Sequence, residues 1–160
     1  MRAIAREAGL ELPLDPPRLA FATIGGVIAS NSQGPWSWGR RPLRDHVLGL
    51  NVVLPDGTKV RFGGHAIKNV AGFDLKKLMI GSHGCLGVTT EVVLKAMPLP
   101  EAQYASEVEG PVDVVTEICL LLRAPEINPA ALLFVREAGS NRARLLVGFE
   151  GTIERWTSPG

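Results

Sequence analysis

The sequence predicts an α+β fold in two parts, and three observations carry that prediction. From Asp45 to Phe62, Leu50, Val52 and Leu54 alternate, Pro55-Asp56-Gly57 turns, and Val60 and Phe62 alternate on the return, which is the pattern of a β-hairpin. Leu75, Leu78 and Met79 recur at i, i+3, i+4 before Gly81, the spacing of a short helix ended by glycine. Beyond Pro98 and Pro100 the character changes to strand (Tyr104 to Val108), apolar helix (Val112 to Leu122), strand (Ala131 to Glu137) and strand (Arg142 to Phe149), the opening of a second α+β unit.

The remaining elements follow in order. Arg2 to Gly9 reads as the last turns of a helix with Gly9 at its end, so the chain is expected to begin in mid-element. Leu10, Leu12 and Leu14 alternate with Glu11 and Pro13, and Asp15-Pro16-Pro17 breaks the run. A glycine pair, Gly25-Gly26, sits between an apolar approach and the small residues Ala29 to Ser32, with a helical turn expected over Val27 to Ser30. Trp36 and Trp38 stand in the polar loop from Asn31 to Arg41, either walling a pocket or capping core edges. Asn69 to Gly72 forms a polar turn, Gly81 to Gly87 a second glycine-dense turn, and Val88 to Ala96 a strand with Val92, Leu94 and Ala96 on one face.

Composition narrows the function classes. A chain of 160 residues with 46% hydrophobic and 21% charged residues has the make-up of a soluble globular protein with a real core. Its formal charge of +1 gives no basic face for nucleic acid, so no nucleic-acid partner is expected. No run approaches the ~20 apolar residues of a membrane span, and the charged N-terminus is unlike a signal-peptide core, so a cytoplasmic location is expected. Cys85 and Cys119 read as reduced thiols in a turn and a helix. His83 and Cys85 have an H-x-C spacing but no further partners, so no metal site is expected.

Twelve of the 18 glycines lie between Gly25 and Gly87, and the chemistry is expected there. Glycine lacks the Cβ that would hold another molecule off, and amides at the start of a helical turn can point at an anion, so Thr23-Ile24-Gly25-Gly26 suggests a phosphate-bearing ligand. The same pair would also suit an ordinary tight turn.

Read together, Leu12-Pro13-Leu14-Asp15-Pro16-Pro17, Ala22-Thr23-Ile24-Gly25-Gly26, Asp45-His46-Val47-Leu48-Gly49, Pro55-Asp56-Gly57, Lys68-Asn69-Val70-Ala71-Gly72-Phe73-Asp74-Leu75 and Gly81-Ser82-His83-Gly84-Cys85-Leu86-Gly87-Val88-Thr89-Thr90-Glu91 form an ordered motif set. The set resembles the FAD-linked oxidases of the vanillyl-alcohol oxidase (PCMH) type, and the glycolate oxidase FAD-binding subunits most closely, through Phe62 to Leu75. The resemblance implies that residues 1–99 are the second subdomain of a PCMH-type FAD-binding domain, with 100–160 the start of a ferredoxin-like α+β substrate or cap domain. The second unit stops too short to complete a sheet, so the chain is expected to be truncated at both ends. The resemblance implies that it holds half of an FAD site, binding FAD weakly or not at all by itself.

The resemblance also implies site residues. Thr23, Ile24, Gly25 and Gly26 would line the FAD pyrophosphate and ribityl chain through backbone amides, Ala29 and Ser30 would lie close to the flavin, and Gly84, Gly87 and Val88 would approach the adenine and ribose. Lys68, Asn69 and Asp74 fit either a flavin-adjacent turn or a capped helix start. No catalytic base can be assigned. The implied activity is oxidation of a small 2-hydroxy acid such as glycolate by hydride transfer to flavin, in company with a second FAD subunit and an iron–sulfur subunit. The alternative is a non-catalytic flavin-fold accessory subunit of such a complex.

Overall fold

A computed structural model describes residues 1–64, 74–124 and 126–151. The expected turn over Asn69 to Gly72, with Lys68, and the tail from Thr152 lie outside the described residues. In chain order the elements are α1 (Arg2–Glu7), β1 (Leu10–Glu11), α2 (Ile24–Ser30), α3 (Ser37–Arg40), α4 (Leu43–His46), β2 (Val47–Val53), β3 (Lys59–Gly63), α5 (Lys76–Met79), β4 (Val88–Leu94), β5 (Met97–Pro98), β6 (Ala102–Pro111), α6 (Val112–Leu121), β7 (Ala131–Arg136) and β8 (Arg142–Gly151). They fall into two compact units, Met1–Gly34 with Arg41–Pro98, and Pro35–Arg40 with Leu99–Gly160.

The first unit is built on an antiparallel sheet of order β3-β2-β4, with a small ribbon of β1 and β5. The expected hairpin is β2 and β3, in register from Gly49 opposite Gly63 to Val53 opposite Lys59. Its turn follows from its residues: Gly57 N–H donates to Leu54 O at 2.9 Å, Gly57 takes φ +84, and Asp56 Oδ1 accepts from the Thr58 amide at 2.9 Å. Proline presets the first turn position and glycine takes the left-handed one without a Cβ clash. The centre strand presents Val47, Leu50 and Val52, all almost fully buried, to a core shared with Leu14, Val27, Ile28, Leu43 and Met79.

Two elements differ from expectation. Helix α2 starts at Ile24 and contains both glycines rather than following them, because Thr23 caps it: its backbone is extended and its side chain accepts from Gly26 N. Helix α5 is a single turn that buries Met79 and leaves Leu75 and Leu78 exposed, since four residues cannot turn a whole apolar stripe inward.

The second unit is an antiparallel sheet of order β6-β8-β7, with α6 joining β6 to β7. Period-two alternation places Ala143, Leu145 and Val147 of β8 in a core with Val115 of α6, while Arg142, Arg144 and Leu146 are exposed. Among the described residues no helix is long and apolar enough to cross a membrane.

Truncating either core should be costly. Leu50→Ala and Leu145→Ala are each expected to lower stability by about 2–5 kcal/mol in denaturant unfolding, because both side chains are almost fully buried. The Asp56 carboxyl is held below its ordinary value by hydrogen bonds from Thr58. A depressed folded-state pKa means its contribution to the hairpin is complete above the unfolded value of about 3.9 and is lost as pH falls through the folded value. A carboxyl NMR titration should therefore place Asp56 below an unstructured aspartate, and Thr58→Pro, which removes the donor amide, should raise it.

Candidate functional site

The Thr-Ile-Gly-Gly segment forms the first turn of α2, and its polar groups are divided between the fold and the outside. Gly26 N–H donates to Thr23 Oγ1 at 3.1 Å, and Ser30 Oγ donates to Gly26 O at 2.7 Å, so both backbone groups of Gly26 are held by hydroxyls of this helix. The amides of Ile24 and Gly25, orphaned as first-turn groups, have no partner among the described residues. Behind them Val27 and Ile28 are buried and anchor the helix in the core.

Glycine at 25 and glycine at 87 serve different ends. Among the described residues a Cβ added at Gly25 meets no atom beyond its own helix within 4 Å, so the described fold leaves open space on that side of α2. At Gly87 a Cβ would come within 2.7 Å of Val53 O and 2.8 Å of Val52 Cγ1, so the missing side chain is what lets the second glycine turn lie against β2. Gly87 therefore answers to packing, and Gly25 has the geometry of a backbone kept bare for a ligand. Gly84 takes φ +80 with no atom of the described residues within 4 Å of its Cβ position, and Val88, the first residue of β4, is exposed.

The second glycine turn is stapled to the far end of α2. Gly81 N–H donates to Ile28 O at 3.0 Å and His83 N–H to Ala29 O at 2.8 Å, satisfying two C-terminal carbonyls of that helix. This places Ala29, and Ser30 after it, beside the second turn, while Thr23, Ile24, Gly25 and Gly26 lie at the opposite end of the helix. The structure thus joins the two glycine segments through α2. His83 and Cys85 are exposed on this turn, Cys85 is a free thiol, and among the described residues no third ligand-type side chain gathers with them. Asp74 pairs with Lys76 and Lys77 at 3.4 and 3.3 Å, the arrangement of a charged helix start.

Sequence reading overlooked the surface in front of Thr23. A cavity of about 190 Å³ lies there, lined by Arg2, Leu12, Leu14, Thr23, Ile24 and Val27 among others. The Arg2 guanidinium donates to Leu14 O. The alternation of Leu12 and Leu14 was the available signal, but it reads equally well as core, and Leu14 is in fact buried in the core as well.

A capped glycine helix with bare first-turn amides, packed on an antiparallel sheet and bordering an apolar cavity, suits a phosphate-bearing ligand. Comparison with known proteins identifies which kind. Residues 1–63 match the family described as FAD binding domain, and the chain is similar to FAD-linked oxidoreductases. It is 46% identical over 110 residues to glycolate oxidase subunit GlcE of Escherichia coli (strain K12), covering 66% of this chain and 30% of that protein. It is 39% identical over 132 residues to glycolate oxidase subunit GlcD of Bacillus subtilis (strain 168), covering 79% of this chain and 27% of that one. The chain thus spans less than a third of the length of these curated relatives. A solved structure of alkyldihydroxyacetonephosphate synthase shares the fold, with TM-score 0.76 at 22% identity over 96% of this chain and 33% of that one.

The two glycines separate by substitution. Gly25→Ala should leave the ligand-free fold intact or stabilise it by roughly 0.5–1 kcal/mol, through better helix propensity. Gly87→Ala should destabilise it by about 1–3 kcal/mol through overpacking against β2. Thr23→Ala should cost about 1 kcal/mol by removing the cap. Thermal and denaturant melts of the three variants check the order.

Proposed function

We propose that this chain supplies the α2 side of an FAD site in an oxidoreductase acting on a small 2-hydroxy acid such as glycolate. The observation that carries the reading is the open space at Gly25 beside two bare amides, in a segment that matches an FAD-binding family. The residues fit the group: the Ile24 and Gly25 amides suit the anionic pyrophosphate, Thr23 and Gly26 hold those amides in place, and the apolar cavity at Thr23 accepts part of a large planar or ribityl-bearing ligand. Ala29 and Ser30, with Gly84, Gly87 and Val88 of the turn stapled beside them, would continue the same contact surface. Bound FAD would accept the hydride from the substrate α-carbon; the protein's part is binding, orientation and exclusion of water.

On this reading residues 1–99 are part of a PCMH-type FAD-binding domain and 100–160 open a second α+β domain bearing the substrate or cap function. Both matched subunits carry glycolate oxidase in their names, which supports glycolate as substrate and a multi-subunit assembly. In our reading its partners are a second FAD subunit and an iron–sulfur subunit, and its location is cytoplasmic. Likeness to GlcE and GlcD alike also supports a second reading, an accessory flavin-fold subunit that contributes interface rather than turnover.

FAD titration followed by flavin fluorescence tests the site. The chain is expected to show weak but saturable quenching, and Gly25→Val to weaken it about tenfold or more, equivalent to about 1.4 kcal/mol or more. The melting temperature without FAD should stay within a few degrees of the parent. Equal affinity of parent and variant would remove Gly25 from the site. Anaerobic bleaching of the flavin bands by glycolate separates the two readings, since an accessory subunit would hold flavin that no 2-hydroxy acid reduces.

A further inference from the structure

Residues Pro35–Arg40 leave the run of the first unit and pack as part of the second. The excursion is closed at its neck, where the Leu43 amide donates to Gln33 Oε1 at 2.9 Å across 10 positions of sequence. Its tip is held by an unusual concentration of contacts within the second unit. Gly39 N–H donates to Ala130 O at 3.0 Å, extending the hydrogen bonding beyond the start of β7. Arg40 makes a two-pronged ion pair with Glu150 of β8, 110 positions away, through Nε on Oε2 at 3.1 Å and a second N–H on Oε1. The two side chains are only 9% and 15% exposed. Gln103 Nε2 of β6 donates to the same carboxylate at 2.8 Å.

Trp36 completes the fastening. Its ring lies 5.5 Å from the Arg40 guanidinium, close enough for a cation–π contact. The ring occupies space that Gly148 leaves empty: a Cβ there would sit 2.6 Å from the Trp36 ring and 2.9 Å from Ala131 Cβ. Of the two readings open for the tryptophans, Trp36 caps the sheet and Trp38 is exposed.

We propose that Pro35–Arg40 is a strap of the second unit, with Trp36 its plug and Arg40 its ionic latch, and that the order of β7 and of the last residues of β8 depends on its being docked. The physical reason lies in Glu150. With Arg40 engaged, both carboxylate oxygens have a charged partner; with the strap released, a mostly buried carboxylate keeps Gln103 as its one hydrogen-bond donor among the contacts described, an expensive state. Release also uncovers Gly148 and Ala131, whose neighbourhood is shaped to the indole ring. The strap follows α2 in the chain by four residues, Asn31 to Gly34.

Hydrogen exchange of the full chain, resolved by peptide, tests this with Trp36→Ala, Arg40→Met and Gly148→Ala. The last variant leaves every strap residue in place and fills the space under the ring. Each is expected to speed exchange in β7 and the end of β8 at least tenfold while β2, β3 and β4 exchange as in the parent. Unchanged exchange in β7 and β8 for Trp36→Ala and Arg40→Met would overturn the strap. Equal acceleration in both units would overturn it too, because the segment would then stabilise the whole chain without belonging to the second sheet.

Discussion

Helix α2 could not stand by itself, and the way it is fastened sets the rest of the first unit. Seven residues, two of them glycine, are too few and too flexible to form a stable isolated helix in water. Three constraints hold it: the Thr23 hydroxyl at its first turn, the burial of Val27 and Ile28 against the sheet, and the two amides from Gly81 and His83 on its last carbonyls. The last of these ties the second glycine turn to the helix, and Gly87 then ties that turn to β2. The bare amides of Ile24 and Gly25 thus rest on a closed circuit of contacts through helix, turn and strand. A ligand that meets them finds donors already oriented, with little conformational entropy left to lose.

The glycines of this region do two kinds of work, and only the structure separates them. Gly87 is demanded by backbone atoms of Val53 and could be replaced only at the expense of packing. Gly25 is demanded by nothing in the described fold, and in a helix it carries a propensity penalty with no structural return. A residue that lowers stability without a packing reason fits a requirement from outside the chain. This is why the cofactor reading rests on Gly25 more than on the glycine-rich character of the segment.

Much of the fold was legible because its determinants are local. Every group that the turn uses lies within Leu54 to Thr58, and the alternation of Leu50 and Val52 points to the same hairpin independently. The strand, helix, strand, strand order of the second unit was likewise readable from the sequence pattern, whereas the burial of Ala143, Leu145 and Val147 against α6 is seen in the structure. The start of α2 was misplaced because glycine propensity argues against a helix there, while the capping hydroxyl of Thr23 argues for one and prevails. The helix at α5 was readable, but neither its single-turn length nor the exposure of Leu75 and Leu78 was. The strap was illegible: Arg40 and Glu150 are 110 positions apart, and Trp36 beside Gly148 makes sense only once β8 is in place. Within the candidate site the glycine motif stood out in the sequence, whereas the apolar cavity beside it was hidden by residues that look like ordinary core.

Where the cofactor meets the chain is most directly measured by amide chemical shifts of the ¹⁵N-labelled protein titrated with FAD. The expected result is progressive shifts of the Ile24 and Gly25 amides, with smaller ones at Ala29, Ser30 and Gly84, while the amides of β6, α6 and β7 stay in place. Shifts confined to the second unit, or saturation of FAD binding without movement at Ile24 and Gly25, would contradict a cofactor seated on the first turn of α2.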